Sequence, residues 1–335
     1  MPISSSVSIA IPLYNVANLV EETLDSVLQQ TAWGMAEISL LLIDDCSPDG
    51  SVAVAENYLQ RAPSRPAYRL VRHQENRGLA AVRNTAIAES STDFIWFVDS
   101  DDTVDPTMLE KMLQRMTIDV DIVATNVVRS RPDGSASQVR MRDYDADQSW
   151  SGSEALGEMI AGRFDAFTVN KLVRSSLYEG IVFPVGSTYE DVAVMGALLV
   201  KARRVEFINE ALYRYLFREE AITSSVSPRI GDLLDNTLLC LQGIDSHASS
   251  ALSVSEQTRF LYRNALIPIA NLTSSVINEP AFSQVKAKAR DAQDQSAPGY
   301  FWSAKERKLA FLAYLLNHAP AAYRILYRVS KRARV

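Results

Sequence analysis

The densest group of side chains that could do chemistry lies at residues 99–102, where Asp99, Asp101 and Asp102 surround Ser100. Three carboxylates so close in sequence repel one another unless a cation or hydrogen-bond donors offset their charge. Carboxylate oxygens favour Mg²⁺ or Mn²⁺, and such ions commonly hold a substrate's phosphates with only one or two protein carboxylates. The tract therefore predicts a metal site with Asp99, Asp101 and Asp102 as ligands. Helix capping and turn formation are the alternative explanation.

The glycine pattern limits how this chain could hold a phosphate. Neither G-x-G-x-x-G nor G-x-x-x-x-G-K-[ST] occurs, so the dinucleotide fingerprint and the P-loop are both missing from the sequence. A diphosphate would therefore have to rely on the metal ion and on arginine side chains.

The acidic tract follows the last of four short apolar segments that alternate with amphipathic stretches, a pattern typical of a parallel sheet covered by helices. Polar residues follow each segment, and the carboxyl ends of parallel strands share one edge, where ligands bind. We therefore expect four loops to form one site. The polar groups are Tyr14-Asn15, Asp44-Asp45, Glu75-Asn76-Arg77-Gly78 and the acidic tract. The predicted strands are 7–13, 38–43, 68–72, 94–98 and 120–125, and the predicted helices are 16–30, 79–89 and 106–116.

The alternation breaks into a polar, Asp-rich stretch between about residues 129 and 150. We interpret residues 1–225 as an α/β domain of two halves, at about 1–128 and 129–225. Segments 231–244, 255–277 and 305–327 have a helical period, so residues 226–335 are predicted to form a helical domain.

The composition is that of an ordinary globular chain, with 335 residues of which 47% are hydrophobic. A formal charge of -6 argues against a nucleic-acid partner. Cys46 and Cys240 are too few and too far apart for a disulfide framework or a Cys-based zinc site. Segment 7–13 lacks the basic flank and length of a signal peptide, and no stretch reaches the ~18 to 20 uncharged apolar residues that span a bilayer. These features predict a cytoplasmic protein.

The final segment, 305–335, combines a stripe of leucines with a basic end. Peripheral contact with anionic lipid on the inner face of the membrane, packing on the chain's own domain and a homo-oligomer contact all fit this pattern. The sequence leaves the three open. The basic residues are Arg324, Arg328, Lys331, Arg332 and Arg334.

Four motifs, taken together, resemble glycosyltransferase family 2. They are VSIAIPLYN at 7–15, DDCSPDGS at 44–51, ENRG at 75–78 continuing to RN at 83–84, and FVDSDD at 97–102. A fifth match, Tyr189-Glu190-Asp191, lies where that family has its catalytic Glu-Asp pair. The resemblance implies a GT-A fold, a Rossmann-like nucleotide-diphospho-sugar transferase domain at 1–225. Its first half would bind the nucleotide and its second the acceptor, and a helical region would follow.

The resemblance also implies roles for particular residues. Pro12 and Tyr14 would line the nucleotide pocket, with Tyr14 near the uracil. Asp44 or Asp45 would bind the uracil or the ribose, and Arg77 would contact the nucleotide.

The tract Asp99 to Asp102 resembles the family's D-x-D motif, which holds Mn²⁺ or Mg²⁺ together with the donor's ribose and diphosphate. Asp191 would be the catalytic base, with Glu190 beside it. The implied nucleotide-sugar-binding residues are Pro12, Tyr14, Asn15, Asp44, Asp45, Asn76, Arg77, Arg83, Asp99, Ser100, Asp101, Lys171 and Arg218.

Segments 170–177, 181–184, 189–191 and 212–215 of the second half are similar to bacterial enzymes that decorate wall teichoic acids or build capsules and exopolysaccharides. After the Tyr-rich strand, those enzymes often carry Arg or His and then a Gly-Ser pair that approach the donor diphosphate. Here Glu220-Ala221 replaces Gly-Ser and no His is available, which leaves Arg218 as the candidate for the phosphates.

The implied reaction is a single displacement that inverts the anomeric carbon, with Asp191 as base and a UDP-sugar as donor. UDP-GlcNAc, UDP-glucose and UDP-galactose are all possible donors, and a hydroxyl of a cell-surface polymer would be the acceptor.

Two other functions compete with this one. A phosphatase of the haloacid dehalogenase type would use Asp99 as nucleophile and Asp101 as acid and base. A nucleotide-sugar-binding protein without activity would use Asp191 only as a helix cap. The three histidines have no metal-ligand spacing and receive no role.

Overall fold

The computed structural model describes residues 5–63, 66–131, 139–140, 144–217, 227–247, 252–274, 276 and 279–332. They form a mixed sheet covered by helices and, after it, a helical region. The strands are β1 Ser6–Leu13, β2 Glu37–Asp44, β3 Tyr68–Arg72, β4 Phe94–Phe97, β5 Thr103–Val104, β6 Ile122–Ser130, β7 Val139–Arg140, β8 Gln148–Ser151, β9 Lys171–Arg174 and β10 Arg204–Leu216. The helices between them are α1 Val20–Leu28, α2 Ser51–Arg61, α3 Leu79–Glu89, α4 Met108–Arg115, α5 Gly152–Ile160 and α6 Glu190–Lys201.

The strand order is β3-β2-β1-β4-β9-β6-β10-β5, with β7 beside β6 and β8 beside β10. β1 to β4 are mutually parallel, and β1 is buried along most of its length, as expected for a parallel strand covered on both faces. The register sets Leu13 opposite Asp44, so the loops after β1 and β2 start side by side. The predicted common edge is therefore present.

The sequence pattern located these elements closely. β3 and α3 have their predicted bounds, and β1, β2 and β4 each differ from theirs by one residue at one or both ends. The strand predicted at 120–125 runs instead from Ile122 to Ser130. It does not neighbour β4, because antiparallel β9 from the second half pairs with both.

Helix α1 begins at Val20, later than the predicted start at residue 16. The amide of Val16 donates to Ser51 Oγ, and the amide of Ala17 donates to Asp49 Oδ2. These contacts tie the start of the amphipathic segment to the loop after β2, so that it forms turns before the helix.

The C-terminal region is helical, but two predicted helices are divided. Segment 255–277 contains a π-helical turn at Tyr262–Leu266, just before Pro268, which has no amide hydrogen to donate. Segment 305–327 is broken at Ala319, before Pro320. The helices are α7 Asp232–His247, α8 Val254–Leu261, α9 Ile267–Thr273, α10 Ser283–Asp291, α11 Ala297–Ser303, α12 Arg307–His318 and α13 Pro320–Arg332.

Two clusters of buried apolar side chains hold the molecule together. The larger surrounds the sheet and includes Cys240 and Ile244 of α7 and Phe260 of α8. The smaller joins α7 and α9 to α13. The predicted boundary at residue 225 lies outside the described residues. No helix within the described ranges is long and apolar enough to cross a membrane.

Candidate active site

The loops after β1 and β2 hold each other at the common edge. Asn15 has a positive φ of 56°, and its amide donates to Ser47 Oγ at 2.9 Å. The Ser47 amide in turn donates to Asp44 Oδ1 at 2.8 Å. This arrangement leaves the Tyr14 side chain 44% exposed above half-buried Pro12, where its ring could stack on a flat ligand.

Asp45 fixes the loop after β3. Its buried carboxylate accepts the amides of Arg77 at 3.0 Å and Gly78 at 2.7 Å. His73 Nδ1 donates to the same carboxylate at 2.6 Å, and His73 Nε2 lies 2.8 Å from Thr85 Oγ1. Gly78 has a φ of 82°, a conformation that glycine adopts without strain. Both Asp45 oxygens thus accept hydrogen bonds that shape this loop, and a contact of Asp45 with the uracil or the ribose stays a prediction.

The side chains of Asn76 and Arg77 are exposed. Both lie at the same edge as Tyr14 and Asp44, since β3 pairs with β2 up to the contact of Arg72 with Asp44. The four predicted loops thus come together.

The acidic tract is anchored to the second half of the chain through β10. Asp102 Oδ2 accepts the hydroxyl of buried Tyr213 at 2.7 Å, and Oδ1 accepts the Leu216 amide at 2.8 Å. The Asp99 amide donates to the Tyr213 hydroxyl at 3.2 Å. Because both Asp102 oxygens have partners in the protein, this residue positions the tract as β4 leaves the sheet, and Ser100 is buried beside it.

Burial disfavours the ionised form of the carboxylates in this tract. It raises the pKa of Asp99 to about 6; Arg83 opposes the shift, and Asp101 and Glu190 add to it. Burial also raises the pKa of Asp102 well above its ordinary value. A bound cation would offset this accumulation of charge.

The carboxylates of the acidic tract could hold a divalent ion such as Mg²⁺ or Mn²⁺ only if the substrate supplies the remaining oxygen ligands of the ion. Within the described ranges, no three His, Cys, Asp or Glu side chains form a group that could hold a metal. Mg²⁺ and Mn²⁺ often use one or two carboxylates and take their other oxygens from a substrate's phosphates. Asp99 and Asp101 suit that arrangement, and Asp102 as a direct ligand stays a prediction.

Arg83 joins the acidic tract to the second half. Its guanidinium, buried on α3, forms an ion pair with Glu190 through Nη1, and Nη2 lies 3.7 Å from Asp99 Oδ1. The same group lies 5.8 Å from the ring centre of Phe97 and 5.7 Å from that of Phe183. Burial alone would lower the pKa of Arg83, but Glu190 and Asp99 raise it. Its role here is to bridge two acids, and a contact with the donor stays a prediction.

Asp191 lies in the first turn of α6, next to this bridge. Its Oδ1 accepts the amide of the next residue, Val192, at 2.9 Å, and an acidic side chain in the first turn also interacts favourably with the helix dipole. Burial raises the pKa of Asp191 to about 7; Glu190 adds to the shift, and Arg83 and Lys171 oppose it. The carboxylate thus has a pKa near neutrality, and its role as catalytic base stays a prediction.

Lys171 is held inside the protein. Its ammonium donates to Asp165 Oδ1 at 2.7 Å, to the Phe167 carbonyl at 2.6 Å and to Asn170 Oδ1 at 2.9 Å. A direct contact with a nucleotide sugar would have to replace one of these partners and stays a prediction. Arg218 lies outside the described residues.

Sequence reasoning missed two residues of this site. His73 follows β3 directly, at the strand end that supplies the site, and this position was the signal that could have found it. Tyr213 lies within the quoted segment 212–215, but nothing local indicates that its hydroxyl reaches Asp102, which is 111 residues away.

The model of the family described as Glycosyl transferase family 2 matches residues 8–174, which include the four loops and the acidic tract. The chain belongs to glycosyltransferase family 2. The matched region contains three strand–helix units before the acidic tract, which the phosphatase pattern leaves unexplained.

Curated relatives match about two thirds of this chain. This chain is 28% identical over 233 residues to EpsH of Bacillus subtilis, which is named as a glycosyltransferase. The alignment covers 67% of this chain and 64% of EpsH. This chain is 24% identical over 218 residues to the minor teichoic acid biosynthesis protein GgaB of the same organism, covering 64% of this chain and 23% of GgaB. The chain thus spans under two thirds of the length of both proteins.

Solved structures show the GT-A fold for this family 2 chain. TarS of Staphylococcus aureus, residues 1–349 in complex with UDP-GlcNAc, has a TM-score of 0.72 at 18% identity, covering 98% of this chain and 92% of that one. A mannosyltransferase of Pyrobaculum calidifontis in complex with GDP-Man and Mn²⁺ has a TM-score of 0.57 at 17% identity, covering 98% and 87%.

Proposed function

We propose that this chain is an inverting glycosyltransferase that moves a sugar from a UDP-sugar to a hydroxyl of a cell-surface polymer. The observation that carries the proposal is the bridge formed by Arg83, which brings the acidic tract and the start of α6 to one place. A base and a site for a departing diphosphate are the two parts that sugar transfer requires.

The nucleotide would lie over the loops after β1, β2 and β3. Tyr14 offers an exposed ring for the uracil, and Asp44 and Arg77 offer polar groups at the same edge. The UDP-GlcNAc complex of TarS, which shares the fold, supports UDP as the nucleotide. UDP-GlcNAc, UDP-glucose and UDP-galactose are the candidate donors.

Asp99 and Asp101 would hold the metal ion, Mn²⁺ or Mg²⁺, and Asp102 would keep the tract in position. When bound, such an ion offsets the negative charge of a departing diphosphate. The Mn²⁺ complex of the structurally similar mannosyltransferase supports this choice.

Asp191 would accept the proton of the acceptor hydroxyl as its oxygen attacks the anomeric carbon. The new carbon–oxygen bond forms as the bond to the diphosphate breaks, UDP leaves with the electron pair, and the configuration inverts. Glu190 would hold the start of α6 through Arg83, which keeps Asp191 in place.

The relation to GgaB favours a wall polymer such as teichoic acid as acceptor, and a capsule or exopolysaccharide is the other candidate. We propose that transfer occurs on the cytoplasmic side, where nucleotide sugars are made.

Asp191→Asn tests the proposal. We expect UDP release from the donor in the presence of acceptor to fall about 10²- to 10⁴-fold, because a positioned base contributes that much. Binding of UDP with Mn²⁺ should be unchanged. Asp235→Asn, at an exposed position of α7, is the matched control. Unchanged turnover would remove Asp191 from the mechanism and favour a nucleotide-sugar-binding protein.

A phosphatase assay distinguishes the proposed transferase from the remaining alternative, a phosphatase of the haloacid dehalogenase type. The transferase predicts no release of phosphate from a generic phosphomonoester with Mg²⁺. Hydrolysis that is lost in Asp99→Asn would support the phosphatase instead.

A further inference from the structure

Helix α13 packs on the smaller apolar cluster through only one side. Tyr323 is buried, its hydroxyl donates to Asn271 Oδ1 at 2.8 Å, and Tyr327 packs beside it one turn later. These two tyrosines define the inner face, because residues four apart lie on one side of a helix.

A second face of α13 is apolar and exposed. Ala322, Ile325, Leu326 and Val329 have the spacing i, i+3, i+4 and i+7 and lie on a different face from the tyrosines. Ile325 is 65% exposed and Val329 is 62% exposed. An amphipathic helix normally turns such a stripe inward, so α13 has two apolar faces, one buried and one exposed.

A third face is basic. Arg324 and Arg328 are one turn apart, between the inner tyrosines and the exposed stripe, and Arg328 donates to the Ser274 carbonyl at 3.1 Å. Residues 302–335 contain eight Lys and Arg against one acidic residue, Glu306, although the whole chain has a charge of -6. This C-terminal segment therefore carries a net positive charge in a chain that is negative as a whole.

A pocket of about 340 Å³ opens beside α13. Its lining includes the apolar side chains of Ile269 and Leu316 and the cationic side chains of Lys286, Arg290 and Arg324, of which Lys286 donates to the Val276 carbonyl at 2.9 Å. A lining that combines apolar and cationic side chains suits the junction between a lipid headgroup phosphate and its acyl chains.

Exposed aromatic residues also occur on the two helices that precede α13. Trp302 of α11 and Phe311 and Tyr314 of α12 are exposed. Six of the fourteen large apolar side chains exposed in the described residues lie between residues 302 and 329. Aromatic residues with basic neighbours are typical of helices that lie in the membrane interface.

We propose that α13 and the pocket beside it form a docking surface for an anionic phospholipid bilayer. The exposed stripe would enter the interface between headgroups and acyl chains, while Arg324 and Arg328 contact lipid phosphates. Charge complementarity selects this occupant, because a second copy of the chain would bring the same excess of positive charge to the contact. The inference does not rest on glycosyl transfer.

Flotation with vesicles tests the docking surface on the full chain without donor or metal. We expect binding to phosphatidylcholine vesicles that contain phosphatidylglycerol and little binding to phosphatidylcholine alone. Raising the salt from 0.1 M to 1 M should weaken binding, because the Debye length falls from about 10 Å to 3 Å. The double variant Arg324→Gln and Arg328→Gln should lose about fivefold in affinity per charge.

A matched pair of substitutions tests the exposed apolar stripe of α13. Ile325→Glu should abolish flotation, whereas Ile118→Glu, at a 77% exposed isoleucine before β6, should float as the wild type does. Far-UV circular dichroism and UDP binding verify that each variant is folded. If a variant does not fold, the milder Val329→Ser makes the same comparison.

Three outcomes would overturn the proposal. The first is a wild-type chain that stays with the soluble fraction in the presence of anionic vesicles. The second is an Ile325→Glu variant that is folded and still floats. The third is a stable dimer, seen by sedimentation velocity, that Ile325→Glu dissociates while vesicle binding is absent, since that result would assign the stripe to a second copy.

Discussion

Three ionisable neighbours set the proton affinity of Asp191: Glu190, Arg83 and Lys171. Burial and Glu190 favour the protonated form, and together they raise the pKa of Asp191 to about 7. A general base works only when it is deprotonated, so activity should be lost as the pH falls below this value. We expect kcat/KM to rise about tenfold per pH unit below 7 and to level off above it.

The Asp191→Asn variant provides the control for this pH profile, because its residual activity should not fall as the pH is lowered below 7. An unchanged fall in that variant would show that a different group titrates.

His73 is a positioning residue, because it acts through Asp45. His73→Leu removes a donor from a buried carboxylate, and the free energy of unfolding should fall by about 1 to 3 kcal/mol. The KM for the donor should rise with little change in kcat, since the loop of Asn76 and Arg77 is less ordered. Urea unfolding and steady-state kinetics measure the two effects. His247→Leu, at an exposed position, should change neither, and a His73→Leu variant that matches it would contradict this role.

Helix α3 connects the two halves through adjacent residues. Arg83 pairs with Glu190, and Asn84 exchanges two hydrogen bonds of 2.8 Å with the backbone of Phe183. One helix thus positions both the start of α6 and the loop before it. This explains why an apolar helix of the first half carries an Arg-Asn pair on the side that faces the second half.

Helices α6 and α7 cross closely at Gly196. A Cβ atom there would lie 2.6 Å from Cys240 Sγ and 2.8 Å from Ile244 Cδ1, and both side chains are fully buried. Gly196→Ala should therefore lower the free energy of unfolding by about 1 to 3 kcal/mol through overpacking. Urea unfolding measures it. Gly157→Ala in α5, where the added Cβ meets nothing within 4 Å, should be neutral or stabilising. Equal effects of both substitutions would argue against a tight crossing.

Ligand binding and folding are coupled in the molecule as a whole, because the proposed site draws on loops from both halves. At a UDP concentration 100 times Kd with Mn²⁺, the folded state should gain about 2.7 kcal/mol. UDP alone and Mn²⁺ alone should each give much less. Asp101→Asn should remove the joint effect, and Asp235→Asn should keep it. Thermal unfolding measures the shift. Equal stabilisation by UDP with and without Mn²⁺ would contradict the metal site.

The sequence by itself determined the strand–helix units of the first half, the polar groups at the strand ends and the common edge where they meet. These features are local, since side-chain period and turn residues act within a few positions, and parallel strands then align their carboxyl ends. The motifs at 7–15, 44–51, 75–84 and 97–102 were sufficient to identify the family.

Only the tertiary structure decided how the second half completes the site. β9 inserts between β4 and β6, Glu190 meets Arg83 across 107 residues, and Tyr213 reaches Asp102. No local pattern encodes these contacts, because pairing over such distances depends on how whole elements pack. The inner and outer faces of α13 were decided in the same way, since both are apolar and only the position of the smaller cluster shows which one is buried.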